Sequence, residues 1–204
     1  MKICMCMILK TYCHNYIHLI IFFLVLSFCG CEQINRFKDI HTVRRMNGKV
    51  LDLSGLGDQV LKDTTYKEYS INKKLTIVSY IDNKLCPECF AKYLMVAEKF
   101  IDQFYSDEIQ YVCIAYPRPL SDLQHALSLR DVDSSKVMVI YDVNNVFRKN
   151  NNIERTKIAL CSFLIGSDHK IITTGDPIRN VRMYNYCKEI IESVLLPKPG
   201  MVIQ

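Results

Sequence analysis

Tryptophan is absent from this chain of 204 residues, so tyrosine and phenylalanine carry all of its aromatic packing. Beyond residue 31 a second Cys-x-x-Cys is also missing, as is any His-x3-His. The spacing therefore does not supply the four ligands of a structural zinc site. Glycine is scarce, and Gly55-Leu56-Gly57 has neither the third glycine nor the lysine that a phosphate-cradling loop needs. Net charge is only +5, with Lys and Arg scattered rather than clustered among aromatics, which excludes a nucleic-acid footprint. The longest mostly apolar stretch, Ile17 to Phe28 with His18 and Ser27 inside it, is too short to cross a bilayer. As a helix it spans about 18 Å against a hydrocarbon core of about 30 Å. Nor do the ten cysteines form a disulfide framework. Five (Cys4, Cys6, Cys13, Cys29, Cys31) crowd the first 31 residues, and the rest (Cys86, Cys89, Cys113, Cys161, Cys187) are odd in number with one close pair.

What is present begins with an address. Lys2 and Lys10 precede the apolar stretch, and Cys29-Gly30-Cys31 follows it, which reads as a signal peptide over residues 1–30. This arrangement resembles a bacterial lipoprotein signal. The resemblance implies lipidation at Cys31, because Gly30 is the small residue such a signal wants before its cysteine. Cys29, preceded by Phe28, fits less well. A cleaved signal without lipid is the alternative. Either way the following domain is expected beyond the inner membrane, where disulfides persist. Residues 31–45 read as a polar tether and residues 46–204 as one domain.

Within that domain, Val43 to Leu53 reads as a short strand with a turn signal at Asn47-Gly48, followed by a loop at 54–58. Leu75 to Ile81 and Ile109 to Tyr116 are near-continuous apolar runs, as expected of strands buried on both faces. Phe90, Tyr93, Leu94, Ala97, Phe100, Ile101 and Phe104 recur at helical spacing. A short helix capped by Ser121 is expected through Arg130, with Leu123, Ala126 and Leu127 inward. Further strands are expected at Val137–Tyr141, Ala159–Ile165 and Lys170–Thr174, with a helical or turn piece at Val143–Lys149. A last helix, Val181–Leu196, would turn Val181, Tyr184, Ile191, Val194 and Leu195 inward. Strand–helix alternation followed by a hairpin and a helix makes an α/β fold with a mixed sheet.

The chemistry-bearing motif is Cys86-Pro87-Glu88-Cys89, at the junction of strand Leu75–Ile81 and the following helix. Two cysteines three apart in a first helical turn can close a small disulfide ring. Free N–H groups and the partial positive charge at a helix start favour a thiolate there. Pro87 suits that position because its missing N–H costs nothing. The Glu88 carboxylate opposes a second negative charge beside it. Cys113 and Cys187 fall within strand and helix patterns and read as core thiols. Asp142 reads as a cap for the turn after its strand, and His169 as the tip of a hairpin turn.

With the motif so placed, residues 45–195 resemble a thioredoxin-like protein of the TlpA/redoxin type carried on a lipoprotein. The pieces that carry the resemblance are Leu75–Ile81 before Cys86-x-x-Cys89, Ser162-Phe163-Leu164-Ile165 before a turn, and Gly175-Asp176-Pro177-Ile178-Arg179-Asn180 before the last helix. The resemblance implies a three-layer sandwich with helices on both faces of a mixed central sheet. It implies that Cys86 attacks and Cys89 resolves, in exchange with protein thiols or disulfides of the cell envelope, with no cofactor or metal. It also marks departures. Leu85 stands where tryptophan usually precedes the first cysteine. Ser79 stands where a buried acid is common. Leu160 and Cys161 stand where a cis-proline usually faces the pair, so Cys161 is either a partner for Cys86 or a small buried strand residue. With Glu88 beside the pair and no histidine within it, the couple is expected to be reducing. A peroxidase reading would want threonine where Asn83 stands. The competing reading is a non-catalytic lipoprotein that uses the scaffold for partner binding.

Overall fold

The structure is a computed structural model that describes residues 41, 43–61, 64–66, 69–82, 85–116, 119–153, 157 and 160–196. The signal stretch, Cys31 and the tether up to residue 40 lie outside the described residues. So do Asn83, Pro117-Arg118 and Ala159. The compact unit that carries the fold begins at Val43. Among the described residues no helix is long and apolar enough to cross a membrane.

Seven strands form one sheet: β1 Asp58–Val60, β2 Thr65–Tyr66, β3 Leu75–Ile81, β4 Ile109–Ala115, β5 Val137–Tyr141, β6 Ser162–Gly166 and β7 Ile171–Thr174. Their order is β2-β1-β5-β4-β3-β6-β7. β3, β4 and β5 run parallel, while β6, β7, β1 and β2 pair antiparallel. Among the described residues the helices packed with the sheet are α1 Pro87–Asp102, α2 Leu120–Ser128, α3 Val146–Asn150 and α4 Val181–Leu195.

Alternation along the strands divides the core into two layers. Leu75, Ile77 and Ile81 of β3 and Tyr111, Cys113 and Ala115 of β4 join one apolar cluster with the inner faces of α1, α2 and α4. Val78 and Tyr80, with Val112 and Ile114, join the other, with Phe147 of α3, Met46, Leu51, Ile153, Cys161 and Phe163. Every position of β3 and β4 is buried, which is why these segments read as continuous apolar runs. The stripe expected on α1 is buried throughout, and Phe104 just past its end is buried with it. Phe100 packs edge-on against Phe104 and Tyr184 at 5.4 and 5.0 Å between ring centres, joining α1 to α4.

The N-terminal part of the domain departs from the sequence expectation. Residues 43–46 are helical rather than extended, and Asn47-Gly48 is not a hairpin turn. Instead the chain from Gly48 to Leu51 runs along the outer edge of β7. Gly48 N–H donates to Ile171 O at 2.7 Å, Ile171 N–H to Lys49 O at 2.8 Å and Leu51 N–H to His169 O at 2.9 Å. The edge strand is thereby covered, a common protection against edge-to-edge pairing. The first strand of the sheet, β1, starts where a loop was expected. With three residues in β1 and two in β2, neither is long enough to show a period. Gly57, in front of β1, is required by close approach, since a Cβ there would collide with the Tyr141 carbonyl. Two helix ends also differ. Pro119, not Ser121, is the N-cap of α2; its ring holds φ at −57° and the helix begins directly after it. Val181 is exposed, because it is the first residue of α4 after the Asn180 cap, and the inward stripe starts a turn later.

Phe147 stacks on Tyr80 and tilts against Phe163, each at 6.2 Å between ring centres, and fills the layer under α3. Phe147→Ala should lower unfolding free energy by about 3–5 kcal/mol in urea titration. A loss under about 1 kcal/mol would mean that this layer collapses onto the cavity or does not exist as described.

Candidate active site

β3 is hydrogen-bonded on both sides, to β4 and β6, so its C-terminal end is a fixed point from which the chain rises into α1. Cys86 is the N-cap of α1 with extended backbone (φ −65°, ψ 159°), and Pro87 follows in the first turn. Cys86 and Cys89 are joined in a disulfide, their Cα atoms 5.1 Å apart. The Cys89 N–H donates to Cys86 Sγ at 3.1 Å, in the manner of a side-chain cap. Cys86 O accepts the Phe90 N–H at 2.9 Å. Cys86 and Cys89 are both exposed residues.

Leu85 is half-buried and packs on the cluster beneath α1. Pro87 is half-buried and Glu88 exposed, so water screens the Glu88 charge and weakens the effect expected of it on the sulfurs. Leu160 is half-buried in a short turn, its N–H donating to Lys157 O at 2.8 Å. The main chain of Cys161 does reach the motif end of β3, where its carbonyl accepts the Tyr80 N–H at 2.9 Å. Its sulfur, however, belongs to the layer opposite α1, and donates to Lys157 O at 3.4 Å. The reason is strand parity: Cys161 lies two residues before Phe163, on the same face. Cys161 is therefore the small buried residue of the two readings, with burial pushing its thiol up to about 11. Burial likewise pushes the Cys187 thiol up to about 12, and Cys113 is fully buried. Asp142 caps α3, accepting the Val146 and Phe147 N–H groups at 2.8 and 2.9 Å. His169 is half-buried, not a solvated tip, with Nε2 3.1 Å from Ile71 O. Among the described residues no group of three or more His, Cys, Asp or Glu side chains is placed to hold a metal.

Beneath α1 lies a buried polar chain that sequence reasoning missed. Ser79 Oγ is 2.6 Å from the Tyr111 hydroxyl, which is 2.6 Å from the Tyr93 hydroxyl. Tyr93 donates to Asp176 Oδ2 at 3.1 Å. Each hydroxyl has one hydrogen, so with Asp176 ionised the donors run in one direction: Ser79 to Tyr111, Tyr111 to Tyr93, Tyr93 to the carboxylate. Asp176 Oδ1 accepts the Ile178 and Arg179 N–H groups at 2.8 and 3.3 Å, and Arg179 Nε stands 3.6 Å from Oδ2. Burial outweighs these donors and holds the carboxyl above its ordinary range. Burial also holds both phenols well above theirs, so they stay protonated. Tyr93 lies four residues after Cys89, one turn along the same helix. The available signal was Ser79 itself, a polar residue inside an apolar strand, which needs a buried partner.

No protein-family model and no curated protein matches the sequence. Solved structures do. The thioredoxin domain of a thiol-disulfide oxidoreductase from Bacteroides vulgatus superposes with a TM-score of 0.50 at 17% identity, over 71% of this chain and 97% of that one. The chain has a thioredoxin-like fold. Two further structures are similar at lower scores. A thiol:disulfide interchange protein from a Bacteroides species gives a TM-score of 0.48 at 16% identity, over 76% and 93% of the chains. The mitochondrial 2-Cys peroxiredoxin of Plasmodium falciparum gives 0.49 at 14%, over 76% and 99%. On this thioredoxin-like platform the disulfide occupies the first turn of the helix that follows the central strand.

The raised carboxyl of Asp176 has a consequence for stability. Between the model-compound value of 3.8 and its higher native value, the folded chain keeps a proton that the unfolded chain has lost. Stability from this group is therefore present at low pH and lost as pH rises through that window. Subtracting the Tm–pH curve of Asp176→Asn from that of the native chain, between about pH 3.5 and about pH 7, should leave a difference that falls with pH. A difference that rises with pH would mean that the donors and Arg179 prevail over burial.

Proposed function

We propose that the chain is a thiol–disulfide oxidoreductase of the bacterial cell envelope, facing the periplasm, with Cys86 and Cys89 as its dithiol–disulfide couple. The observation that carries this reading is the solvent-open disulfide at the first turn of α1, with an N–H already directed at Cys86 Sγ. Its substrates are protein thiols or disulfides. Its working direction is reducing, because the motif holds no histidine to stabilise the thiolate strongly and Glu88 adds a negative charge, though a screened one. The anchor is a lipid on Cys31, behind Gly30.

One observation favours the competing reading, a non-catalytic scaffold that binds a partner. The residue at the usual groove position, Cys161, turns its sulfur into the opposite core layer and builds no wall beside the pair. Insulin reduction by dithiothreitol separates the two. The native chain should accelerate it well above the uncatalysed rate, and Cys86→Ser and Cys89→Ser should each return it to that rate. A native chain no faster than the blank would favour the scaffold.

The anchor has its own test. Metabolic labelling with a fatty acid in the expressing cell should mark the native chain and Cys29→Ser, and should fail with Cys31→Ser. Label retained by Cys31→Ser would refute lipidation at that residue.

A further inference from the structure

Where the compact unit begins, the turn that carries Arg45 and Lys49 forms one wall of a cleft of about 220 Å3. Residues 150–152, at the end of α3 and just past it, form the other. Met46 is buried and roots the first wall in the layer under α3. Asn151 ties the two walls together. Its side-chain N–H groups donate to Asp52 O and Phe147 O, each at 2.8 Å, and its side-chain oxygen accepts the Asp52 N–H at 2.8 Å. Three donors that line the cleft have no protein partner among the described residues: the Arg45 guanidinium, the Lys49 ammonium and the Asn152 amide. The Asn150 amide is taken, donating to Ser54 O at 3.1 Å. One carboxylate opposes the two cations. It belongs to Asp52, whose Oδ1 already accepts the Ser54 N–H and hydroxyl at 2.8 and 2.6 Å.

A planar guanidinium fork, a point charge and an amide around a braced hollow suit a tetrahedral oxyanion better than a flat carboxylate, which the fork alone would satisfy. We propose that this cleft binds the phosphate group of an anionic phospholipid headgroup. The chemistry recognised is phosphate, and its source is argued from position. Arg45 stands two residues past Val43, the first residue of the compact unit, and fourteen (45 − 31) past Cys31. A chain of that length reaches about 50 Å when fully extended, so a lipid on Cys31 keeps the cleft within reach of the headgroups. Near an anionic surface each lysine or arginine adds to the attraction, and a cleft with two unpaired cations fixes which part of the domain meets that surface. The headgroup as source thus rests on the proposed anchor. Phosphate binding by the cleft does not, and neither depends on the thiol chemistry.

The probes are phosphatidylglycerol and inorganic phosphate. The readout is acetylation of Lys49 by N-hydroxysuccinimidyl acetate, followed by mass spectrometry against Lys99, which is exposed on α1 and outside the cleft. In the full chain held in uncharged detergent micelles Lys49 should react freely, and inorganic phosphate should slow it. Vesicles of phosphatidylcholine and phosphatidylglycerol in equal parts should slow Lys49 at least about fivefold relative to Lys99, the effect of about one cation contact. Vesicles of phosphatidylcholine alone should not, and about 1 M salt should abolish the protection. Arg45→Ala should restore most of the rate, whereas Arg44→Ala, outside the cleft, should leave the protection in place. Equal loss with either variant would mark a diffuse surface field and overturn the site, as would a Lys49 rate unchanged in every sample. Protection by inorganic phosphate without protection by phosphatidylglycerol overturns the headgroup as the source. Fatty-acid label missing from Cys31 would remove the anchor and leave a cleft in which phosphate protects Lys49. Label on Cys31 with Lys49 unprotected would remove the cleft and leave the anchor.

Discussion

The pairing of β3 on both edges, together with its burial on both faces, is the constraint on which the rest of the structure depends. A strand so held cannot shift register without moving one set of side chains out of each core layer. Its end therefore delivers Cys86 to one place, and α1 can start there with its inner stripe already matched to the layer beneath. The stripe on α1, the rings of Phe100, Phe104 and Tyr184, and the packing of α4 all follow from that match. Coverage of the β7 edge by residues 48–51 finishes the sheet on the β6–β7 side.

Against this rigid platform the electrostatics of the pair are local and modest. One backbone N–H reaches Cys86 Sγ, and the helix start adds a partial positive charge. The nearest acid in sequence, Glu88, lies in water, where its field is screened. The strong electrostatics are buried a turn away, where Asp176 closes the Ser79–Tyr111–Tyr93 chain. That chain ties β3, β4, α1 and the start of α4 together through polar contacts inside an otherwise apolar layer. Such a network is stabilising only while every member is satisfied, which is the case for each of its hydroxyls here.

Long-period features were legible in the sequence and short or parity-dependent ones were not. β3, β4, β5, α1 and α4 carry enough turns or alternations to declare themselves. β1 and β2 are too short to show a period, and residues 48–51 follow β7 through main-chain bonds that any sequence can make. The motif and its place at a helix start were readable from Cys86-Pro87-Glu88-Cys89 behind an apolar strand. Exposure of Cys89 was not readable, because a first-turn position does not by itself fix how much of the residue neighbouring elements cover. The direction of Cys161 was readable in principle, since it shares the parity of Phe163, but a resemblance that places that position opposite the pair pointed the other way. The role of Asp176 was hidden because the polar chain it closes draws on β3, β4 and α1, which meet only after folding.

On this thioredoxin-like platform the exposed Cys86–Cys89 pair is proposed to work as a reversible couple of reducing character. Equilibration of the Cys86–Cys89 couple against glutathione buffers measures that most directly. A reducing couple would lie at about −200 to −270 mV, whereas a value near about −120 mV would mark a strong oxidant and contradict the proposal. A pair that stays oxidised below about −300 mV would be a structural staple and would contradict it equally.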